Sequence, residues 1–406
     1  MGWYNKNMRI LIASDLHWPT MNGIATFGRN LAQGLAERGH EVVVVAPSQT
    51  GKKYEEQDKN HRVVRTASVI FPFYQNLRVS LSPNREINEI TKQFKPDIIH
   101  LQTPLGIGLG AIGAAKKYHV PLVATNHSMS ENLIDNLKLL APFARQIDYI
   151  LREYGSRFYG NADYVTLPTV AAIRMLKPDS FAKPYVAISN GIDLKRFHTG
   201  QPTPEFYERY NIPMNVPIVM YLGRLDSEKH VSILLRALQH LDPKLRYHAV
   251  VVGDGNDLSH LVEVATDLGL EERVTFVGRI DEADKPMILR TGTIFAMPSP
   301  AELQSISTME AMASGMPVVA VNAGALYELC KNGENGFLFE IDDYEVMSQG
   351  IGELLADPEL VKTMSARSLE IVSKHDLSVT LDKFEELYAE VIAMRSPVKP
   401  ELSEVL

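Results

Sequence analysis

Short apolar runs of strand length alternate with helix-length amphipathic stretches along this chain, and the alternation runs through twice. Such a pattern is what a parallel sheet requires, because the helices on its crossover connections bury both faces of each strand. In the first half strands are predicted at 9–14, 41–46, 63–66, 98–102, 122–125 and 164–167, with helices at 25–38, 85–94 and 108–118. Gly39 closes the first of these helices. In the second half strands fall at 218–222, 247–252, 274–277, 293–297 and 318–321, and helices at 232–239, 259–268, 344–356, 359–373 and 377–394. The break lies in the polar, proline-containing stretch 199–217, just after Asn190-Gly191-Ile192-Asp193. We therefore expect an α/β chain of two doubly wound, Rossmann-like domains, 1–198 and 199–378, with a helix and frayed tail at 379–406 that packs back toward the first domain. A length of 406 residues is enough for two cores.

Composition narrows the function classes. A single cysteine, Cys330, excludes an intramolecular disulfide or a cysteine-rich metal site and fits a reducing cytoplasm. No apolar run approaches the 18 or so residues of a membrane span, and the N-terminus lacks the apolar core of a signal peptide. Met8 is a candidate start, which would leave 1–7 as an extension. The net charge of −8 is unevenly spread: residues 1–198 hold 24 Lys and Arg against 16 Asp and Glu, a net of +8 in that half. A basic first half suits an anionic surface or ligand. Basic and aromatic residues are not interleaved as a nucleic-acid surface would need, so no nucleic acid is expected.

Chemistry-bearing residues gather at predicted strand ends. After the strand 293–297, Glu302 sits on a loop at the carboxyl edge and Glu310 in the helix that follows, with seven residues between them. The amides at such a helix start can face an anion, while carboxylates accept hydrogen bonds from sugar and ribose hydroxyls. Two ordinary surface glutamates would show the same spacing. The strand 218–222 leads into Gly223-Arg224-Leu225-Asp226-Ser227-Glu228-Lys229, and two cations five residues apart at that edge can clamp a diphosphate. Solvated surface charge is the plain alternative. The first strand runs on to Asn22-Gly23 without the glycine pattern of a dinucleotide fold, leaving Gly23 able to bring bare amides against a phosphate. His127 follows the strand 122–125 and should reach the inter-domain cleft, where it could bond a sugar hydroxyl, act as acid or base, or be structural. Asp342-Asp343 has no metal-ligand context and reads as a solvated turn.

Taken together, the Asn22-Gly23 loop, His127, Asn190-Gly191-Ile192-Asp193, Gly223-Arg224 with Lys229, and Glu302 with Glu310 resemble the retaining glycosyltransferases of family 4, which have the GT-B architecture of two Rossmann-like domains facing across a cleft. The resemblance spans nearly the whole chain. It implies that Arg224 and Lys229 hold the donor diphosphate with help from Gly23, that Glu310 binds the ribose, and that Glu302 meets the transferred sugar. Gly223, Ser305 and Ile306 would complete the donor site, with Asn22 and His127 on the acceptor side. His127, Arg224, Lys229 and Glu302 would carry the reaction. The implied donor is a UDP- or GDP-hexose, attacked on the face its diphosphate leaves, with no metal or other cofactor. Many members continue the first glutamate with Gly-Phe-Gly, whereas Leu303-Gln304-Ser305 stands here and places side chains where bare backbone would be.

For the acceptor, Leu133, Leu137, Leu140, Ala144, Ile147, Leu151, Tyr154 and Phe158 recur at helical spacing, and Lys138, Arg145 and Arg152 run beside them. An interfacial helix drawn to anionic lipid shows this pattern, and so does a core helix with a basic edge. Family members that glycosylate diacylglycerol or phosphatidylinositol resemble this plan, which implies a lipid acceptor at the cytoplasmic face of a membrane. A soluble or polysaccharide acceptor, a nucleotide-sugar epimerase and a catalytically silent binding module are the competing readings.

Overall fold

The computed structural model describes residues 7–20, 22–71, 77–127, 144–176 and 183–395, and arranges them around two separate sheets. The first contains β1 (Arg9–Ala13), β2 (Glu41–Pro47), β3 (Tyr54–Asp58) and β4 (His61–Thr66). After a separate antiparallel hairpin of β5 (Ser68–Phe71) and β6 (Leu77–Ser80), it continues with β7 (Ile98–Leu101), β8 (Leu122–Thr125), β9 (Tyr164–Leu167) and β10 (Tyr185–Ala187). Its spatial order is β10-β9-β8-β7-β1-β2-β4-β3. The second contains β11 (Ile218–Leu222), β12 (His248–Val252), β13 (Val274–Gly278), β14 (Ile294–Met297), β15 (Val318–Val321) and β16 (Gly336–Phe339), in the order β13-β12-β11-β14-β15-β16.

In the first sheet side-chain alternation assigns a central strand to two cores at once. Ile10 and Ile12 point into one apolar cluster, Leu11 and Ala13 into the other, because successive side chains of a strand leave opposite faces. Val42 to Val45 are buried throughout, as a central parallel strand covered on both sides must be. The first sheet is not wholly parallel, however. β3 pairs antiparallel with β4 at the edge, and its polar Tyr-Glu-Glu-Gln-Asp run suits an edge that must resist further pairing.

The long helix Leu377–Arg395 joins the two halves. Although it follows the second domain in the chain, Phe384 packs on Phe27 with ring centroids 5.7 Å apart, and Tyr388 Oη lies 2.6 Å from His100 Nδ1. Gly34 permits this closeness: a Cβ there would lie 2.5 Å from Leu381 Cδ1. Arg38 pairs with Asp382 at 2.7 Å, and Arg395 reaches Asp163 at 2.6 Å. At the crossing point Ile192 N donates to His375 O and Leu377 N donates to Ile192 O, at 2.8 and 2.9 Å. Truncating a buried aromatic such as Phe384 to alanine costs about 3–5 kcal/mol.

Two local expectations change. Asp343 is not merely a solvated turn residue; its carboxylate accepts from Val346 N at 3.0 Å and caps the helix Tyr344–Ala356. Within the apolar stripe, Phe158 belongs to the core of the first domain, so the helix Ala144–Tyr159 turns that end of its stripe inward. Helical spacing is the same for a core face and a lipid face, which is why periodicity alone could not separate them. Leu133, Leu137, Lys138 and Leu140 lie outside the described residues.

Candidate active site

In the second sheet β11 has β12 on one side and β14 on the other, so the winding direction reverses between β11 and β14. Loops leaving two such strands diverge and open a crevice at the carboxyl edge of the sheet. The loop after β11 carries Gly223 and Arg224 and ends in the short turn Ser227–Lys229. It is held against the loop after β12 by Leu225 N donating to Asp254 O at 3.0 Å and Asp257 N donating to Leu225 O at 2.8 Å. Only glycine fits at 253, where φ is +142° and a Cβ would lie 1.8 Å from Gly223 O.

The loop after β14 brings Glu302 across the crevice. Lys229 Nζ donates to Glu302 Oε1 at 2.8 Å and approaches Ser299 Oγ at 3.4 Å. Arg224 is engaged as well, with its guanidinium paired to the buried carboxylates of Asp226 and Glu228. Each cation of the expected clamp thus has an acidic partner, and Asp226, Glu228 and Ser299 join the site as residues that sequence reasoning passed over. Ser305 caps the helix Ile306–Ala313, its Oγ accepting from Thr308 N at 3.3 Å. The first-turn amides of that helix then have no intrahelical acceptor of their own.

Glu310 is only 1% exposed, which rules out a surface glutamate. Lys285 Nζ donates to its Oε1 at 2.7 Å, while Oε2 is buried with no partner among the described residues. Burial pushes its pKa up, and the Lys285 ammonium opposes that rise. Glu282 lies 4.0 Å from Lys285 and is itself bound by Arg196 at 3.0 Å. Nothing local in the sequence ties Lys285 to Glu310, because the contact spans 25 residues.

Across the cleft the first sheet reverses its winding between β1 and β7. Asn22 spends its Oδ1 on capping the helix Gly23–Glu37, accepting from Ala25 N at 2.8 Å. A Cβ on Gly23 would lie 3.8 Å from Ile306 Cδ1, so the starts of two helices, one from each domain, meet across the gap. Such paired helix starts favour an anion between them. The His127 ring packs 4.8 Å from Phe27, its Nε2 has no partner among the described residues, and burial pushes its pKa down to about 3. It is a neutral hydrogen-bonding group, poorly suited to carry a proton as an acid. Gln102, buried at the end of β7 with both carboxamide atoms unpartnered among the described residues, is a further polar group that the sequence reading left inside a strand.

Gln304 explains part of the Leu303-Gln304-Ser305 departure. Its Oε1 accepts from Asn190 N at 2.7 Å and its Nε2 donates to Ser189 Oγ at 3.0 Å. The loop bearing Glu302 is therefore tied through a side chain to the segment that precedes the second domain.

Two doubly wound domains with loops from both switch points facing one cleft define the GT-B architecture. Solved sucrose-phosphate synthase from Thermosynechococcus elongatus has this fold, with a TM-score of 0.79 at 21% identity over 95% of this chain and 99% of that one. The family model "Glycosyltransferase Family 4" matches residues 21–196, and "Glycosyl transferases group 1" matches 203–370. The chain belongs to the family 4 glycosyltransferases and is an enzyme of that class. It is 26% identical over 398 residues to a GDP-mannose-dependent alpha-mannosyltransferase of Corynebacterium glutamicum, covering 96% of this chain and 90% of that one. It is also 26% identical over 377 residues to the alpha-monoglucosyldiacylglycerol synthase of Streptococcus pneumoniae, covering 91% and 83%. Among the described residues no helix is long and apolar enough to cross a membrane.

Proposed function

We propose that this enzyme moves a hexose from a UDP- or GDP-hexose to a hydroxyl with retention at the anomeric carbon, and that the acceptor is a membrane glycerolipid such as diacylglycerol. The observation that carries the donor side is the bare, buried Oε2 of Glu310, next to a crevice holding the Lys229–Glu302 pair. A carboxylate so placed accepts from a ribose hydroxyl. The diphosphate then lies between the two helix starts and draws Lys229 from Glu302 to itself, and Glu302 turns to the hydroxyls of the sugar. Arg224, held by Asp226 and Glu228, presents a second guanidinium donor at that edge. His127 and Gln102 offer neutral hydrogen bonds from the opposite domain.

In the reaction the bond from the anomeric carbon to the diphosphate oxygen breaks, and the acceptor oxygen bonds the same carbon on the same face. The departing oxygen takes the acceptor's proton while Lys229 and Arg224 stabilise the negative charge that develops there. Those cations supply the charge that a metal would otherwise bring, so no divalent ion is assigned to the donor.

Support for a lipid acceptor comes from the surface of the first domain. Val69, Ile70 and Phe71 on β5 are exposed, as are Leu105 and Leu109 at the start of the helix Gly106–Tyr118. Tyr149 and Ile150 on the neighbouring helix are 70% and 62% exposed, and Tyr154 Oη of that helix donates to Pro104 O at 2.6 Å. Apolar exposure on this scale fits a peripheral site on the cytoplasmic leaflet. The direct test incubates the enzyme with UDP- or GDP-hexoses and diacylglycerol vesicles and detects products by mass. A hexosyl lipid supports the proposal; transfer confined to soluble acceptors, or an epimer formed without any acceptor, would overturn it.

A further inference from the structure

We propose that His17, Asp58 and His61 form a zinc site that pins the loop leading into Asn22 and Gly23. The three come from two distant places in the chain. Asp58 and His61 face each other across the β3–β4 ladder, and His17 descends from the loop after β1. One ligand atom from each lies within 4.8 Å of the others. His17 is 2% and His61 1% exposed, yet all four of their ring nitrogens lack a hydrogen-bond partner among the described residues. Buried polar atoms are seldom left so, and two neighbouring imidazoles with vacant lone pairs beside a carboxylate are a metal donor set.

The surroundings are compatible with a dication. Two guanidiniums stand nearby; Arg65 has a carboxylate of its own, and Arg29 would share Asp58 with the ion. Arg29 pairs with Asp58 at 2.8 and 3.0 Å, and the buried Arg65 pairs with Glu56 at 2.7 Å. A carboxylate has about four lone-pair positions, so Asp58 keeps capacity for a metal after accepting twice from Arg29. Arg29 in turn orients that carboxylate as outer partners of metal ligands do, and is stacked 4.4 Å from the Trp18 ring. Two imidazoles, one carboxylate and a water suit tetrahedral zinc; magnesium and calcium prefer oxygen ligands. Ligand atoms about 2.0–2.2 Å from one ion sit about 3.3–3.5 Å apart, so the side chains would draw together on binding. Arg29 of the helix Gly23–Glu37 reaches Asp58, so the ion would bear on the position of that helix start.

Untagged full-length protein, stripped with EDTA and dialysed, would be titrated with zinc chloride against a chromophoric chelator. We expect one equivalent bound at least 100-fold more tightly than in His17→Gln/His61→Gln, and no comparable binding of magnesium chloride. Cobalt(II) should give the visible bands of a tetrahedral site in the wild type. Zinc bound no more tightly than in the double variant means that the pocket holds ordered water, or that the ion sits on surface histidines, and overturns the proposal. Should the variant fail to fold, zinc-edge X-ray absorption of the loaded wild type decides. Two imidazole nitrogens at about 2.0–2.1 Å support the site, and any other shell contradicts it.

Discussion

Lys229 Nζ and Glu302 Oε1 lie 2.8 Å apart at the ends of loops that leave adjacent parallel strands, so a positive and a negative group neutralise each other where the sheet opens. A diphosphate entering that crevice exchanges one partner for another instead of meeting an unpaired cation. Lys229→Ala should therefore lower turnover about 100- to 1,000-fold, the usual effect of removing one electrostatic donor. Glu302→Gln should slow transfer while leaving the dissociation constant for free nucleoside diphosphate within about threefold of wild type, since RT ln 3 is below 1 kcal/mol. Steady-state kinetics and calorimetry on the two folded variants check this division. Equal losses of nucleotide affinity would contradict it.

Arg224 is expected to behave differently. Its removal takes one cation from the buried Asp226 and Glu228, so Arg224→Ala should lose stability as well as activity. Urea denaturation would show the loss for Arg224→Ala and little change for Lys229→Ala.

Much of this arrangement is legible from residue order, and the limits are physical. Strands such as Val42 to Val45 announce themselves because both faces are buried, whereas β3 is a polar edge strand whose Glu55 and Glu56 give no apolar period. The three-residue strand β10 and the helix Leu326–Leu329 offer too few residues to establish a period. At the site, Glu302 and Glu310 stand out because they flank one helix start. Lys285, Gln102 and the tie between Gln304 and Asn190 do not, because each depends on a contact between segments far apart in the chain. Burial, which separates the Glu310 carboxylate from a surface one and places Phe158 in the core, is likewise a tertiary property.

Acid should expose one buried histidine in the stability curve. His100 is fully buried between Tyr388 and Thr125, and burial pushes its pKa down to about 3 from an ordinary 6.5. Below pH 6.5 the unfolded chain takes up a proton that the folded one refuses, so stability falls by about 1.4 kcal/mol per pH unit until the folded pKa is reached. Asp15, pushed up to about 6 by burial, acts in the opposite sense, losing stability as pH rises from 3.8 to about 6. Both His100→Asn and wild type carry Asp15, so the difference between their urea-derived stabilities isolates the histidine. The variant's stability should fall less steeply between pH 6 and 4.5, by about 1.4 kcal/mol per unit; parallel curves would mean that His100 is not held neutral.

Docking to anionic membrane should depend on both charge and apolar exposure. Co-sedimentation with vesicles should rise with anionic lipid and fall with sodium chloride, since each basic residue near the surface contributes about 1 kcal/mol and is screened by salt. The triple change of Lys138, Arg145 and Arg152 to Ser should weaken binding, and so should Tyr149→Ser with Ile150→Ser. Indifference of the wild type to anionic vesicles at low salt would favour a soluble acceptor.

If Glu310 receives the ribose of a nucleotide donor, calorimetric titration of UDP and GDP into wild type and Glu310→Gln will separate the two proteins. In the variant the amide oxygen can still accept from Lys285, so the NH₂ group would face the ribose where an acceptor is needed. A hydrogen bond to a charged group contributes about 1.5–3 kcal/mol, so the dissociation constant of the preferred nucleotide should rise about 10- to 150-fold. An unchanged constant in a folded Glu310→Gln protein would contradict the assignment.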